Sequence, residues 1–438
     1  MRLPRAAGVH LVCEEKPLRD RVHRKQSLRT TAHSRRQGVQ GRARIPIPHH
    51  ERRQRRTCLP PDRDRGAACP RTRRIFGQTG GSETRQTSNA LIWLAVENRM
   101  SFCGTMAHAE KNQMTLHISE AEVRQMLDMP RALRAVEETS RKQAAEEVVV
   151  HPRRRFELSH SGFFHYMAAA DYSAGFVAMK QYTFVRGKLR FLVPLYEMAS
   201  GDLLAVIEAD YMGQLRTGAA SGVATKYLAR ENSRVAAIIG TGGQARTQLE
   251  AVAAVRKLES ARVYGRDAAK REKFSGEMSR RVGIPVNPCS SSGEAVRGAD
   301  IVCTATTSSQ PVVFGTDLAP AVHINAIGAN HSHKRELDDE AVASADIIVV
   351  DSVEQSRQEA GDLILAFQGD EICWNGVRKL CDVVAGKVSG RTSDSEITLF
   401  KSNGIASWDL AVAMKVYAAA RERKLGRELP FWADGSGS

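Results

Sequence analysis

Short apolar strands alternate with helices from residue 234 onward, and a Gly-Thr-Gly-Gly-Gln-Ala turn at 240–245 runs straight from a strand into a helix. Before residue 215 the pattern differs: two helices, then a series of strands joined by short turns. Strand–helix alternation builds a parallel sheet covered by helices, whereas strands joined by tight turns build an antiparallel one. The predicted fold class is therefore α/β. A Rossmann dinucleotide-binding domain spans 226–394, and a second, discontinuous α+β domain combines 114–225 with 395–430.

The elements follow in order. Ser119 with Glu122 three residues on forms a capping box, and Val123, Met126 and Leu127 give that helix its apolar face. A second helix is predicted over 132–147, then strands over 155–159, 162–169, 175–184, 191–197 and 203–208. Residues 215–229 read as a helix rich in Ala and Gly. The later strands are predicted at 234–239, 261–264, 300–304, 321–327 and 346–350, with helices at 244–258 and 268–282. A strand at 397–400, a Gly-containing turn and a long helix to 423 return the chain to the second domain.

Charge is distributed unevenly. Residues 1–113 carry 24 Lys and Arg against nine Asp and Glu, while residues 114–438 carry 40 of each. Runs such as Glu51-Arg-Arg-Gln-Arg-Arg lack periodic apolar positions and cannot bury enough surface to offset chain entropy. The expectation for 1–113 is a basic, disordered or non-native leader added by an upstream start, with Met100, Met106 and Met114 as candidate true starts. A nucleic-acid tail, an organelle transit segment and a membrane-surface patch are the functional alternatives. The balanced remainder has no basic field for nucleic acid, and no apolar run approaches the ~20 residues that span a bilayer. The eight cysteines include no CxxC pair, so no metal site is expected. Free thiols and a reducing, cytoplasmic compartment are predicted. Cys303, in Asp-Ile-Val-Cys-Thr, reads as a buried strand residue.

The turn carries the clearest chemistry. Gly240 makes the tight bend, Gly242 lets a pyrophosphate approach the backbone, and Ala245 permits close helix–strand packing. Gly240, Thr241, Gly242, Gly243, Gln244 and Ala245 are thus candidate cofactor-binding residues; the bland alternative is a structural glycine turn. A site for NAD usually places an acid at the end of the next strand, on the ribose hydroxyls. Here the sequence is Val263-Tyr-Gly265-Arg266-Asp267. Gly265 in place of the acid and Arg266 after it suit the 2′-phosphate of NADP, with NAD possible and a plain exposed loop arginine the alternative. Asp267 reads as the N-cap of the following helix.

Several motifs in order, Leu215-Arg-Thr-Gly-Ala-Ala-Ser-Gly, Ile238-Ile-Gly-Thr-Gly-Gly-Gln-Ala, His323-Ile-Asn-Ala-Ile-Gly-Ala, Val349-Val-Asp351-Ser, Glu359-Ala-Gly-Asp and Thr398-Leu-Phe-Lys-Ser402-Asn-Gly404, resemble the ornithine cyclodeaminase/mu-crystallin family over about 115–430. That family includes ornithine cyclodeaminase, an archaeal-type alanine dehydrogenase, ketimine reductases and the mu-crystallins. The resemblance implies that the α+β domain binds substrate and forms a homodimer. It places the substrate carboxylate on Arg154, Lys180 and Arg216. Three adjacent arginines, 153–155, make the first of these ambiguous. It further implies cofactor contacts at Thr304, Ala305, Thr306, Ser402 and Gly404. Independently, Lys180 closes an apolar strand and Arg216 opens a helix of small residues. A charge in such a place needs a partner, which a substrate carboxylate or an ion pair within the fold could supply.

One departure bears on the reaction. Ornithine cyclodeaminase and the alanine dehydrogenase carry Asp after Ile-Gly-Ala, whereas this chain has Asn330-His331. Asn can hold an amine by hydrogen bonds but cannot exchange a proton at neutral pH. The candidate catalytic residues are Lys180 and Asn330, with His331 or His333 as alternative proton carriers. The expected activity is NAD(P)H-dependent reduction of a small imino acid, or the reverse amino-acid oxidation. The rivals are ornithine cyclodeaminase proper, which shows no net cofactor turnover, and a non-enzymatic ligand-binding protein.

Overall fold

The computed structural model describes residues 114–431. The expectations for residues 1–113 lie outside them. Two sheets organise the chain. The first contains β1 (Met114–Ile118), β2 (Val148–Leu158), β3 (Gly162–Asp171), β4 (Phe176–Val185), β5 (Lys188–Glu197), β6 (Leu203–Glu208) and β15 (Arg427–Pro430), in the order β15-β1-β6-β5-β4-β3-β2. All its neighbours are antiparallel except β1 and β6.

The second sheet contains β7 (Val235–Ile239), β8 (Ser260–Tyr264), β9 (Val286–Pro288), β10 (Ile301–Thr304), β11 (His323–Ala326), β12 (Ile347–Val350), β13 (Arg378–Lys379) and β14 (Thr398–Lys401). Its order is β13-β12-β14-β11-β10-β7-β8-β9, with every pair parallel. Strand order reverses between β7 and β10, which leaves a crevice beyond their carboxyl ends, where α/β sheets bind ligands.

Among the helices are α1 (Glu120–Met126), α2 (Met129–Ala144), α3 (Asp210–Leu228), α4 (Gly243–Val255), α5 (Ala268–Val282) and, just before β15, α6 (Ala406–Arg423). Ile118, Met126, Leu195, Ile207, Met212 and Trp408 share one core between the first sheet and α1, α2, α3 and α6. Helix α3 is buried almost all round, as a helix without a polar face must be. A Cβ on Gly218 would collide with Thr247 of α4, and one on Gly222 would stand 2.6 Å from the Leu133 side chain. The small residues of α3 therefore let α4 approach closely.

The structure moves some predicted boundaries. Helix α2 starts at Met129, three residues before the expected 132, capped by Asp128 on the Arg131 amide at 2.9 Å. Helix α3 begins at Asp210, because the Glu120 carboxylate of α1 accepts its free amides from across the fold. Strand β2 begins at Val148, seven residues earlier than predicted. The strand expected at 397–400 was grouped with the α+β domain, yet β14 lies between β11 and β12 in the parallel sheet. Its uniformly buried residues suit a central parallel strand. Only α6 and β15 beyond it join the first sheet, β15 by pairing with β1. Cys303 is fully buried on β10, and burial pushes its thiol up to about 12.

Candidate active site

The strand–turn–helix at 239–245 forms as the sequence predicts. Gly240 has φ +122°, and a Cβ there would collide with the Ala305 carbonyl at the end of β10. Gly242 caps α4 and has open space where a Cβ would sit. Gly243 lies against the Gln214 side chain, and Ala245 is fully buried beneath the helix. The backbone around Gly242 is thus open to a bulky anion at a helix N-terminus, which fits a pyrophosphate.

At the end of β8, a Cβ on Gly265 would stand 2.8 Å from Thr241 Cγ2. An acid at this position is therefore disfavoured by packing. Arg266 is exposed, and Asp267 caps α5 by accepting the Lys270 amide at 3.0 Å. Arg271 is a second guanidinium at this corner that the sequence reading missed. It donates to the Gly265 carbonyl at 2.6 Å and lies 5.7 Å from the Tyr264 ring centroid.

A cavity of about 520 Å³ opens between this turn and the first sheet. Gly242, Gly243, Gln244, Ala305, Thr306, Ser402 and Gly404 line it, with Arg216, Asn330 and, on β4, Lys180. Phe163, His165, Met167, Tyr182 and Phe191, on β3, β4 and β5, line it too and share the first sheet with Lys180. Thr304 does not reach it: the residue is fully buried and its hydroxyl donates to Glu336 at 2.7 Å. Ser402 lines the cavity but turns its hydroxyl to Asp351 at 3.2 Å.

The basic cluster differs from the expectation at one position. Arg154 is exposed, whereas Arg153 is buried and lines the cavity. A register shift between His151 and Arg154 puts Arg153 in a bulge, and strand alternation then turns Arg154 outward. Arg153 Nη1 pairs with Glu359 at 2.6 Å, and Nη2 donates to the Asn403 carbonyl at 2.7 Å. Arg155 reaches the other Glu359 oxygen at 2.8 Å and donates to the Asn330 carbonyl at 2.7 Å.

Lys180 and Arg216 do have a partner inside the fold. Asp409 Oδ1, on α6, receives Lys180 Nζ and Arg216 Nε, each at 3.0 Å. Arg216 Nη1 stays buried without a hydrogen-bond partner. Two glycines leave room for these cations. A Cβ on Gly213 would stand 2.9 Å from Lys180 Nζ, and one on Gly404 2.5 Å from Arg216 Nη1. Burial, then the neighbouring Arg216 charge, lowers Lys180 to about 8 against the pull of Asp409. Gly213→Ala should gain about 1 kcal/mol of helix preference but lose more by disturbing the buried Lys180–Asp409 pair, so the melting temperature should fall. The substitution should also lower kcat/KM at least roughly ten-fold by pushing the ammonium aside. A variant as active as the parent would count against a fixed Lys180 position.

Asn330 lines the cavity with its Oδ1 2.8 Å from His331 Nδ1. His331 also lines it, but burial and the nearby Arg155 charge lower it to about 4, so its ring is neutral at pH 7. His333 is exposed and outside the lining. His165 is likewise held near 3, by burial first and Arg155 next, with Nδ1 2.9 Å from the Tyr182 hydroxyl.

The sequence reading missed Arg153 as the inward arginine, and also Asp409, Glu336, Arg271 and the aromatic wall. Asp409 left one signal, a lone acid in the apolar stretch Trp408-Asp-Leu-Ala-Val-Ala. Asp351 and Glu359 lay within quoted motifs but carried no assigned role. Asp351 accepts the Asn403 and Gly404 amides at 2.7 and 2.6 Å, which holds the loop against Arg216.

Comparison with known proteins bears on this geometry. Residues 111–424 match the model of the ornithine cyclodeaminase/mu-crystallin family. A Delta(1)-pyrroline-2-carboxylate reductase of Bacillus cereus is 40% identical over 245 residues, covering 55% of this chain and 74% of that protein. The same-named enzyme of Thermococcus litoralis, solved with NADH and L-proline, superposes with a TM-score of 0.69 at 35% identity, covering 72% of this chain and 100% of that one. An archaeal alanine dehydrogenase dimer with bound NAD gives the same TM-score and identity, with 73% and 100% coverage. With a family match over most of its length and a shared fold at this identity, the chain belongs to the ornithine cyclodeaminase/mu-crystallin family.

Proposed function

We propose that this protein reduces a small α-imino acid with a nicotinamide cofactor, or oxidises the matching amino acid in reverse. The observation that carries the reading is the unpartnered, buried Nη1 of Arg216 beside Lys180, in a cavity that reaches the open Gly242 backbone. With Nε already on Asp409, the remaining edge of Arg216 is a vacant cationic donor for a substrate carboxylate. Lys180 flanks the same carboxylate. Arg153 is anchored to Glu359 and adds positive charge to the floor of the cavity. This set replaces the expected one that included Arg154.

The cofactor, when bound, supplies the hydride for the imine carbon. The chain's residues do the rest. Arg216 and Lys180 orient the substrate, Asn330 hydrogen-bonds beside the reacting nitrogen, and the Lys180 ammonium can give that nitrogen its proton. The aromatic wall excludes water and suits an apolar or cyclic side chain. Asp210, which is exposed, is the only carboxylate among the described residues lining the cavity. That favours an imino acid over a diamino acid whose second amine needs a buried anion.

Domain roles follow the same reading: the antiparallel sheet with α6 binds substrate and dimerises, and the parallel sheet binds the cofactor. Exposed Val149, Phe156 and Leu158 on the edge strand β2 offer an apolar face for a homodimer, the state named for the archaeal alanine dehydrogenase. Cys289, Cys303 and Cys381 form no disulfide, which suits a cytoplasmic setting. NADPH is the favoured cofactor, because packing disfavours an acid at Gly265 and leaves Arg266 exposed beside the site.

The test is a spectrophotometric screen of cyclic imines, 2-keto acids with ammonia, and amino acids, against NADPH and NADH. Stoichiometric cofactor oxidation with an imino acid is expected. Proline formed rapidly from ornithine with only catalytic NAD would replace this reading by cyclodeamination. In the same assay Arg266→Ala should remove about 1.5–3 kcal/mol of phosphate contact, or roughly ten-fold or more of NADPH preference. Equal affinity of the parent for both cofactors would remove the NADPH assignment.

A further inference from the structure

Asp409 has no place in the motifs that point to substrate binding, and it does not line the cavity. It is nevertheless the carboxylate to which both key cations are tied. It sits on α6 between Trp408 and Leu410, 1% exposed. One of its oxygens takes Lys180 and Arg216 together, and the other, Oδ2, is buried without a hydrogen-bond partner.

The surroundings of Lys180 make that arrangement consequential. Helix α3 presents Arg216 to it and β2 presents Arg153, both positive, the latter paired with Glu359. Strand β5 places the Phe191 ring 5.3 Å from Nζ. His165 on β3 lines the same cavity in neutral form, Tyr182 on β4 lines it as well, and the Asp210 carboxylate on α3 lines it from its exposed position. Asp409 is the anion in direct contact with the ammonium.

We propose that Asp409 is a positioning residue for the reaction: by gathering Lys180 and Arg216 on one oxygen it fixes the spacing of the two cations and keeps the Lys180 ammonium protonated next to the substrate. This rests on the imino-acid reductase reading. In the reductive direction each hydride added to carbon requires one proton on nitrogen. Lys180 can donate it only while charged: its N–H bond breaks, the substrate N–H bond forms, and the neutral amine then regains a proton from water. Burial and Arg216 both drive Lys180 toward the neutral form, and Asp409 opposes them. Without that anion the ammonium should be lost at a lower pH.

The experiment follows the titration of Lys180 directly. The full-length protein is labelled competitively with acetic anhydride across a pH series, and acetylation of Lys180 is read by peptide mass spectrometry. The parent should show a midpoint near 8. In Asp409→Asn the midpoint should drop by about one pH unit or more, and the alkaline limb of kcat should move with it. Asp409→Ser leaves room for water beside the two cations and carries the same test if the asparagine variant does not fold. A Lys180 midpoint unchanged by loss of the carboxylate overturns the proposal. Labelling needs no turnover, so a parent protein that reduces no imino acid defeats the reductase reading and leaves this measurement able to decide the coupling on its own.

Discussion

Arg216→Lys is expected to lower kcat/KM by roughly 30- to 1000-fold, about 2–4 kcal/mol of transition-state stabilisation. The substitution keeps the charge but removes the planar fork. In the parent, Nε is fixed by Asp409 and Gly404 leaves space against the guanidinium, so the group is held in a set plane with Nη1 unpartnered. An ammonium in its place can satisfy Asp409 or a substrate carboxylate with good geometry, but not both. Cofactor affinity should be unchanged, because the Gly240–Gly242 turn makes no hydrogen bond to Arg216. Fluorescence titration with NADPH, beside steady-state kinetics on the best substrate of the screen, separates the two effects. A variant with near-parental kcat/KM would show that the carboxylate is held elsewhere.

Glu336→Ala should destabilise the protein by about 3–5 kcal/mol, seen as a large fall in melting temperature, and should weaken cofactor binding in the protein that remains folded. Glu336 is fully buried and accepts from the Thr304 hydroxyl at 2.7 Å, the Thr306 amide at 2.7 Å and the Gly328 amide at 2.6 Å. It thus ties the loop after β10 to the loop after β11, which carry Thr306 and Asn330 to the cavity. Alanine would leave the buried Thr304 hydroxyl and the part-buried Thr306 and Gly328 amides without their acceptor. Asp362 supports the same junction, accepting the Glu336 and Leu337 amides at 2.6 and 2.9 Å. Lys401 balances its charge at 2.9 Å and donates to the Ala329 carbonyl. Burial first, then the Asp362 charge, raises the Glu336 carboxyl above its ordinary range, against the Lys401 charge and the hydrogen bonds from Thr304 and Thr306. A loss below about 1 kcal/mol would mean that water or a shifted loop replaces the carboxylate.

How far the site was legible depended on how local each cause was. The Gly240–Ala245 turn is set by chain geometry within six residues, so the glycine spacing was enough to predict it. Gly265 and Arg266 could be read for cofactor choice because the acid they replace stands at a fixed distance along the chain. Lys180 and Arg216 were visible as charges stranded in apolar surroundings. Arg153 was not separable from Arg154, because a one-residue bulge in β2 decides which of them faces inward, and bulges leave no mark in a run of identical residues.

By itself the sequence determined that the chain pairs a parallel sheet carrying a dinucleotide-type glycine turn with an antiparallel-rich one, and that Lys180 and Arg216 are charges in apolar surroundings that need a partner. Those properties follow from periodicity, from glycine's conformational freedom and from the cost of burying a lone charge, all of which act over short stretches of chain. Tertiary structure alone decided which partners meet. Asp409 reaches Lys180 across 229 residues, Glu359 reaches Arg153 across 206, and β14 inserts between β11 and β12 rather than joining the sheet that α6 covers. Such pairings depend on where distant elements pack. They also set the properties that matter for chemistry: a lysine lowered to about 8, a histidine kept neutral at the cavity, and an arginine left with one buried, unpartnered donor.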